Sequence, residues 1–201
     1  MLFIEFKNKL SPYEVFSTRD IDNYFPNFDS RRLNEWQKKK YIIKLRNGWY
    51  CFSDYPDGEA FSVFIGNKIY DPSYLSLELA LSIHAIIPEA VYTATSVTTN
   101  KTMAFDTPLR EYTYNSVKEE LFFGYEVQEY SGRPVKIAYP EKAILDFLYL
   151  RKHYVTESDM IELRFDLDDI SVEKLRNYLE KFKSTALENR VTTLLKVNDI
   201  N

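Results

Sequence analysis

Between residues 30 and 50 the chain carries Arg31, Arg32, Lys38, Lys39, Lys40, Lys44 and Arg46 against one acid, Glu35. That is a local charge of +6 in a chain whose formal net charge is −4. Guanidinium and ammonium groups at this density suit phosphate oxygens, and Arg and Asn side chains also read base edges. Arg19, Arg31, Arg32, Asn34, Lys38, Lys39, Lys44 and Arg46 are therefore the candidate contacts to double-stranded DNA.

Other groupings carry less chemistry. Lys142 and Asp146, four apart with Glu141 beside them, read as a surface pair on one helix, worth about 0.2–0.5 kcal/mol. Asp166, Asp168 and Asp169 form a carboxylate cluster without the Gly and further ligands of an ion-binding loop, so a solvated capping loop is the better reading. His84 falls in an apolar stretch and reads as a core or interface histidine. His153 falls near a helix end, where an imidazolium suits the dipole. The polar run 96–102 is a weaker candidate: Ser96, Thr98, Thr99 and Lys101 offer a phosphate-holding or interaction surface. The chain has only five Gly and shows no Ser-His-Asp order, metal-ligand spacing or Gly-rich phosphate loop. Neither enzymatic activity nor a metal or cofactor is expected.

The elements that must carry the basic residues can be read from periodicity. Stepping 100° per residue from Leu33 puts Asp29, Trp36, Gln37 and Lys40 near the buried side of a helix. Arg31, Glu35, Lys38 and Lys39 fall opposite, with Arg32 and Asn34 on the flanks and Asp29 or Ser30 as N-cap. Residues 41–46 and 49–52 are rich in β-formers and flank Asn47-Gly48, the strongest short hairpin signal. Upstream, residues 17–25 read as a short capped helix that Pro26-Asn27 ends, and the apolar residues from Leu2 to Phe16 supply a first helix. Helix, turn, helix, hairpin is the winged helix-turn-helix order.

Beyond Ser53-Asp-Tyr-Pro-Asp-Gly58, a turn-rich junction, helices are expected at about 58–68 and 77–87, the second capped at Ser76 and ended by Pro88. Strands follow at 91–95, 103–105, 111–117, 125–130 and 135–138. A helix then opens at Pro140, and further helices are expected at about 156–165, 171–183 and 185–196. The expected fold class is α+β: a winged-helix domain over residues 1–53, then an α+β domain over 54–201 with a small antiparallel sheet and C-terminal helices.

Composition bounds the rest. With 45% hydrophobic residues and 16% aromatics the chain can pack a core, which excludes a disordered class. One cysteine, Cys51, excludes an intrachain disulfide or a zinc cluster. No signal peptide and no run of eighteen apolar residues is visible, so a reducing, cytoplasmic compartment and no membrane are expected. Residues 1–52 hold ten bases and six acids, a charge of +4, which leaves −8 on the remainder. A basic head on an acidic body touches DNA through the head alone.

With this order in hand, the chain resembles the AbiEi family of bacterial antitoxins. The head segments are Arg32-Leu33 and Leu45-Arg46-Asn47-Gly48-Trp49-Tyr50. In the body they are 67–81 (NKIYDPSYLSLELAL), Ile87-Pro88-Glu89, 95–101 (TSVTTNK), 105–108 (FDTP), 121–125 (LFFGY) and 138–146 (AYPEKAILD). Each is weak alone, but their order and spacing are shared over nearly the whole chain. The resemblance implies a winged helix that represses the protein's own operon and a body that opposes a nucleotidyltransferase-type toxin without a stable complex. The alternative is a plain transcriptional regulator whose body senses a ligand or dimerises.

Overall fold

A computed structural model describes residues 2–55 and 58–200. Pro56 and Asp57, within the expected junction, lie outside the described residues. The head runs α1 (Phe3–Leu10), β1 (Val15–Ser17), α2 (Thr18–Tyr24), α3 (Arg31–Lys38), β2 (Ile42–Arg46) and β3 (Trp49–Phe52). Its three strands are antiparallel in the order β1–β3–β2. This is the winged-helix topology, with one difference from expectation: Val15 and Phe16 leave the first helix to form β1.

Local chemistry explains the elements. Ser17 caps α2 by accepting from the Asp20 N–H at 3.2 Å, while the Asp20 carboxylate accepts from the Ser17 N–H at 2.7 Å. That reciprocal box satisfies two donors that the helix start leaves unpaired. At α3 the Asp29 carboxylate accepts from the Arg31 N–H at 3.1 Å. The hairpin turns at Gly48, whose φ of +79° needs a residue without Cβ. Alternation sends Phe16, Ile42, Tyr50 and Phe52 toward the helices, where they close a core with Phe6, Leu10, Leu33 and Trp36. Trp36 is 3% exposed and packs on Phe3, Phe6 and Phe28.

The body follows as α4 (Glu59–Ile69), β4 (Ser73–Leu75), α5 (Leu77–Ile83), β5 (Ala94–Thr98), β6 (Met103–Asp106), β7 (Glu111–Ser116), β8 (Tyr125–Tyr130), β9 (Arg133–Ala138), α6 (Pro140–Leu150), α7 (Glu157–Glu162), α8 (Val172–Leu179) and α9 (Thr185–Val197). The fold class is α+β. The body sheet is larger than the small antiparallel sheet expected and is mixed: six strands in the order β6–β7–β5–β4–β9–β8. The pairs β4/β9 and β5/β7 are parallel and the other neighbours antiparallel. The unforeseen strand is β4, which occupies Ser73–Leu75 between the two expected helices and stands near the sheet centre. β5 begins three residues later than expected. α5 stops short of Pro88, at a left-handed Ala85 (φ 57°) that lets the Ile86 N–H return to the Leu81 carbonyl at 2.8 Å.

Alternation across the sheet separates two helical layers. Tyr112 and Tyr114 point to α4, donating to the Ser62 carbonyl at 3.0 Å and the Gly66 carbonyl at 2.7 Å. Tyr74 and Ser76 point the other way, to α6.

The outward face of the head sheet is not free. Val15, Leu45 and Cys51 are buried in the same core as Phe61, Phe64 and Tyr114 of the body. The head therefore has its own core on one side of its sheet and shares the body's core on the other.

Candidate nucleic-acid interface

The outward face of α3 is built as its angles predict. Leu33 and Trp36 are buried, Gln37 is half-buried and donates to the Leu33 carbonyl at 2.9 Å, and Asn34, Glu35, Lys38 and Lys39 are exposed. Arg32 is half-buried on the flank. Lys40, placed on the buried side by the angle count, is exposed, because the helix ends at Lys38 and the chain turns through a left-handed Lys40 (φ 56°).

Arg31 and Lys39 are held in ion pairs. The Arg31 guanidinium, with its side chain 90% exposed, grips Asp29 through Nε at 2.9 Å and through a terminal nitrogen at 2.9 Å. That hydrogen bonding holds the Asp29 carboxyl below its usual range and Arg31 above its own. Lys39 meets Glu35 one turn away at 2.6 Å, which likewise lowers Glu35 and raises Lys39. Such solvent-facing pairs are screened by water and worth little, so they leave both cations available to phosphate.

Arg19 is exposed in the first turn of α2, next to the hairpin tip, where the Thr18 N–H donates to the Gly48 carbonyl at 2.9 Å. This bond ties the tip back to α2, so the wing is short. Lys44 pairs with Tyr50, shares the helix side of the sheet with Ile42 and is exposed.

Arg46 does not join that face. The register slips between Lys44 and Arg46, a β-bulge at Leu45. A bulge interrupts alternation, so Leu45 and Arg46 both turn toward the body. The Arg46 guanidinium lies over the Phe105 ring at 4.9 Å and the Tyr70 ring at 5.5 Å. Tyr70 in turn donates to the Lys101 carbonyl at 2.9 Å.

The second candidate surface is corrected in part. Ser96 and Thr98 are fully buried in β5, where neither forms an interaction surface. The Thr98 hydroxyl is consumed by the Pro72 carbonyl at 2.6 Å. Thr99 is half-buried and Lys101 exposed on the turn that follows.

Lys142 and Asp146 are not a surface pair. Both are fully buried and bonded to each other on α6. Asp146 also accepts from the Tyr74 hydroxyl at 2.9 Å and the Ser76 hydroxyl at 2.8 Å. Lys142 is ringed by Tyr74, Phe123 and Phe182, and burial pulls its ammonium below the ordinary lysine range while Asp146 opposes that pull. Gly124, at φ +72°, lies so close that a Cβ there would sit 3.0 Å from Lys142 Cγ. Glu141 is buried too, accepting from the Ser171 N–H at 3.2 Å and lying 3.0 Å from Lys174 Nζ. Lys142, Asp146, Tyr74 and Ser76 satisfy one another within the packing, while Glu141 Oε2 is buried with the Lys174 ammonium as its ion-pair partner.

Asp166, Asp168 and Asp169 lie exposed on one loop, where Asp166 accepts from the Asp168 N–H at 3.1 Å. His84 is half-buried and bonded through Nε2 to the Ala138 carbonyl at 2.8 Å. Among the described residues no cluster of His, Cys, Asp and Glu is arranged to hold a metal ion. Nor is any helix among them long and apolar enough to cross a membrane.

Sequence reasoning missed the residues that join head to body. Besides Arg46, Tyr70 and Phe105, these are Glu14 and Arg133, a bidentate pair at 2.7 and 2.9 Å. Glu14 holds a positive φ of 56° to make that contact, and Arg133 also lies over the Phe61 ring at 5.3 Å. Partners 119 residues apart leave no local signal. A comparison with protein-family models gave no match, and no curated protein matches the sequence.

Proposed function

We propose that this protein binds double-stranded DNA through its winged-helix head and represses its own operon, and that its body acts as an antitoxin. The observation that supports DNA binding is the outward face of α3, where Arg31, Asn34 and Lys38 stand exposed and Arg32 flanks them, together with exposed Arg19 on α2 and Lys44 on β2. Arg31, Arg32, Lys38, Lys44 and Arg19 supply phosphate contacts, while Asn34 and one arginine read bases in the major groove. The antitoxin half rests on the resemblance of the body segments to AbiEi proteins. It implies a nucleotidyltransferase-type toxin as functional partner, opposed in the cytoplasm without a stable complex.

A salt titration of binding to the duplex upstream of its own gene tests the reading. With about five phosphates neutralised, log K falls against log salt with a slope of roughly −4 to −5. The double variant Arg31→Glu with Lys38→Glu should abolish binding while leaving the melting curve intact. Unchanged binding would remove the winged helix from the reading. For the second half, growth is followed on inducing the adjacent toxin gene, with a promoter reporter in the same strain. The double variant should lose repression and keep protection. Loss of both together would favour the plain regulator.

A further inference from the structure

We propose that Arg46 is a positioning residue that fixes the DNA-binding head on the body, and that it does not contact DNA. The inference rests on the DNA-binding reading above but concerns a different side of the hairpin. By type and position Arg46 belongs with Lys44, at the end of a wing strand beside a basic helix. The bulge at Leu45 reverses its direction. Its guanidinium is laid across Phe105 of β6 and Tyr70 at the end of α4, 4.9 and 5.5 Å from their centroids. The two rings are themselves edge-on at 5.6 Å, and the Tyr70 hydroxyl is anchored on the Lys101 carbonyl.

A planar cation spreads over two rings in a way an ammonium does not. The second fastening, Glu14 to Arg133, sits immediately before the opposite edge strand of the head sheet, β1 being at one edge and β2 at the other. Two polar clamps on opposite edges, with Val15, Leu45 and Cys51 between them, leave the head no axis to rock about. The orientation in which α3 and Lys44 meet a duplex is thereby set from the body.

Three full-length variants test this, Arg46→Lys, Arg46→Gln and Phe105→Leu, each measured in two ways. The first measurement is the salt dependence of binding to a mixed-sequence duplex and to the duplex upstream of the gene. A positioning role predicts that all three weaken binding roughly two- to tenfold with the salt slope unchanged. Arg46→Lys, which keeps the charge, should not rescue, and Phe105→Leu, which removes none, should match it. A phosphate contact predicts the reverse: Arg46→Gln lowers the slope by about 0.9, Arg46→Lys binds normally and Phe105→Leu is silent. That pattern would overturn the proposal.

The second measurement needs no DNA. Arg46→Gln and Phe105→Leu should each lower the melting temperature by roughly 2–4 °C, and the double variant should lose no more than either alone. Additive losses would overturn the clamp even in a protein that binds DNA. A wild-type chain that binds neither duplex would sink the DNA-binding reading, and the melting temperatures of these variants would then decide the clamp by themselves.

Discussion

With Asp146→Asn, the Lys142 ammonium is left among Tyr74, Phe123 and Phe182 with no carboxylate facing it. Removing one partner of a buried pair costs about 3–5 kcal/mol, and adding Lys142→Met should recover part of that by deleting the stranded charge. The pH dependence has a definite sign. Loss of Asp146 removes the group that holds the lysine pKa up, so the folded value drops further below the unfolded one. The unfolded chain then binds more protons between those two values, and the variant gains stability as pH rises through that window. Urea melts at about pH 7 and about pH 10 should show its gap to wild type narrowing at the higher pH. The sequence suggested a solvated pair because Lys and Asp four apart usually are one. The counter-signal was there in Ala143, Ile144, Leu145, Phe147 and Leu148, which leave α6 apolar nearly all round. Trp36 is the opposite case, a burial predicted by angle and found. Trp36→Ala should cost about 3–5 kcal/mol in a denaturant melt of the full chain.

At the scale of elements, the head was legible and its docking was not. Capping at Ser17, the spacing of Leu33 and Trp36 and the Asn47-Gly48 turn are local signals, each readable within a few residues. The bulge at Leu45 has no such signal, and charge together with a place on the wing strand therefore grouped Arg46 with Lys44. Strand β4 escaped for a related reason: three residues after a proline become a strand only because β5 and β9 flank them. Only Ala94 and Thr95 of β5 fell within the expected strand, and Ser96 and Thr98 read as surface, because the carbonyls of Pro72 and Ser76 that take the Thr98 and Thr95 hydroxyls come from another segment. A testable consequence concerns the shared face of the head sheet. Leu45→Ala should cost about 2–5 kcal/mol in the full chain. A fragment of residues 1–55, which uncovers Val15, Leu45 and Cys51, should associate in sedimentation, and replacing Val15 and Leu45 by Thr should return it to a monomer.

For the whole molecule, a core that runs from the head sheet through α4 into the body sheet predicts one cooperative unfolding transition. Calorimetry should give a single peak; two separable peaks would show that head and body are independent after all. The charge division read from the sequence, +4 against −8, falls on two parts that share this core. The topology also has a consequence in time. During synthesis the head strands are complete at Phe52, yet β4 cannot be enclosed until β9 ends at Ala138, 86 residues later. At roughly 5–20 residues per second that interval lasts about 4–17 s. Throughout it the body that will cover Val15, Leu45 and Cys51 is incomplete, and once Leu75 has been added one edge of β4 lies open as well. The nascent chain is thus at its most vulnerable to mispairing with its neighbours on the same messenger, and it is there, before the finished protein exists, that a holding chaperone would matter most.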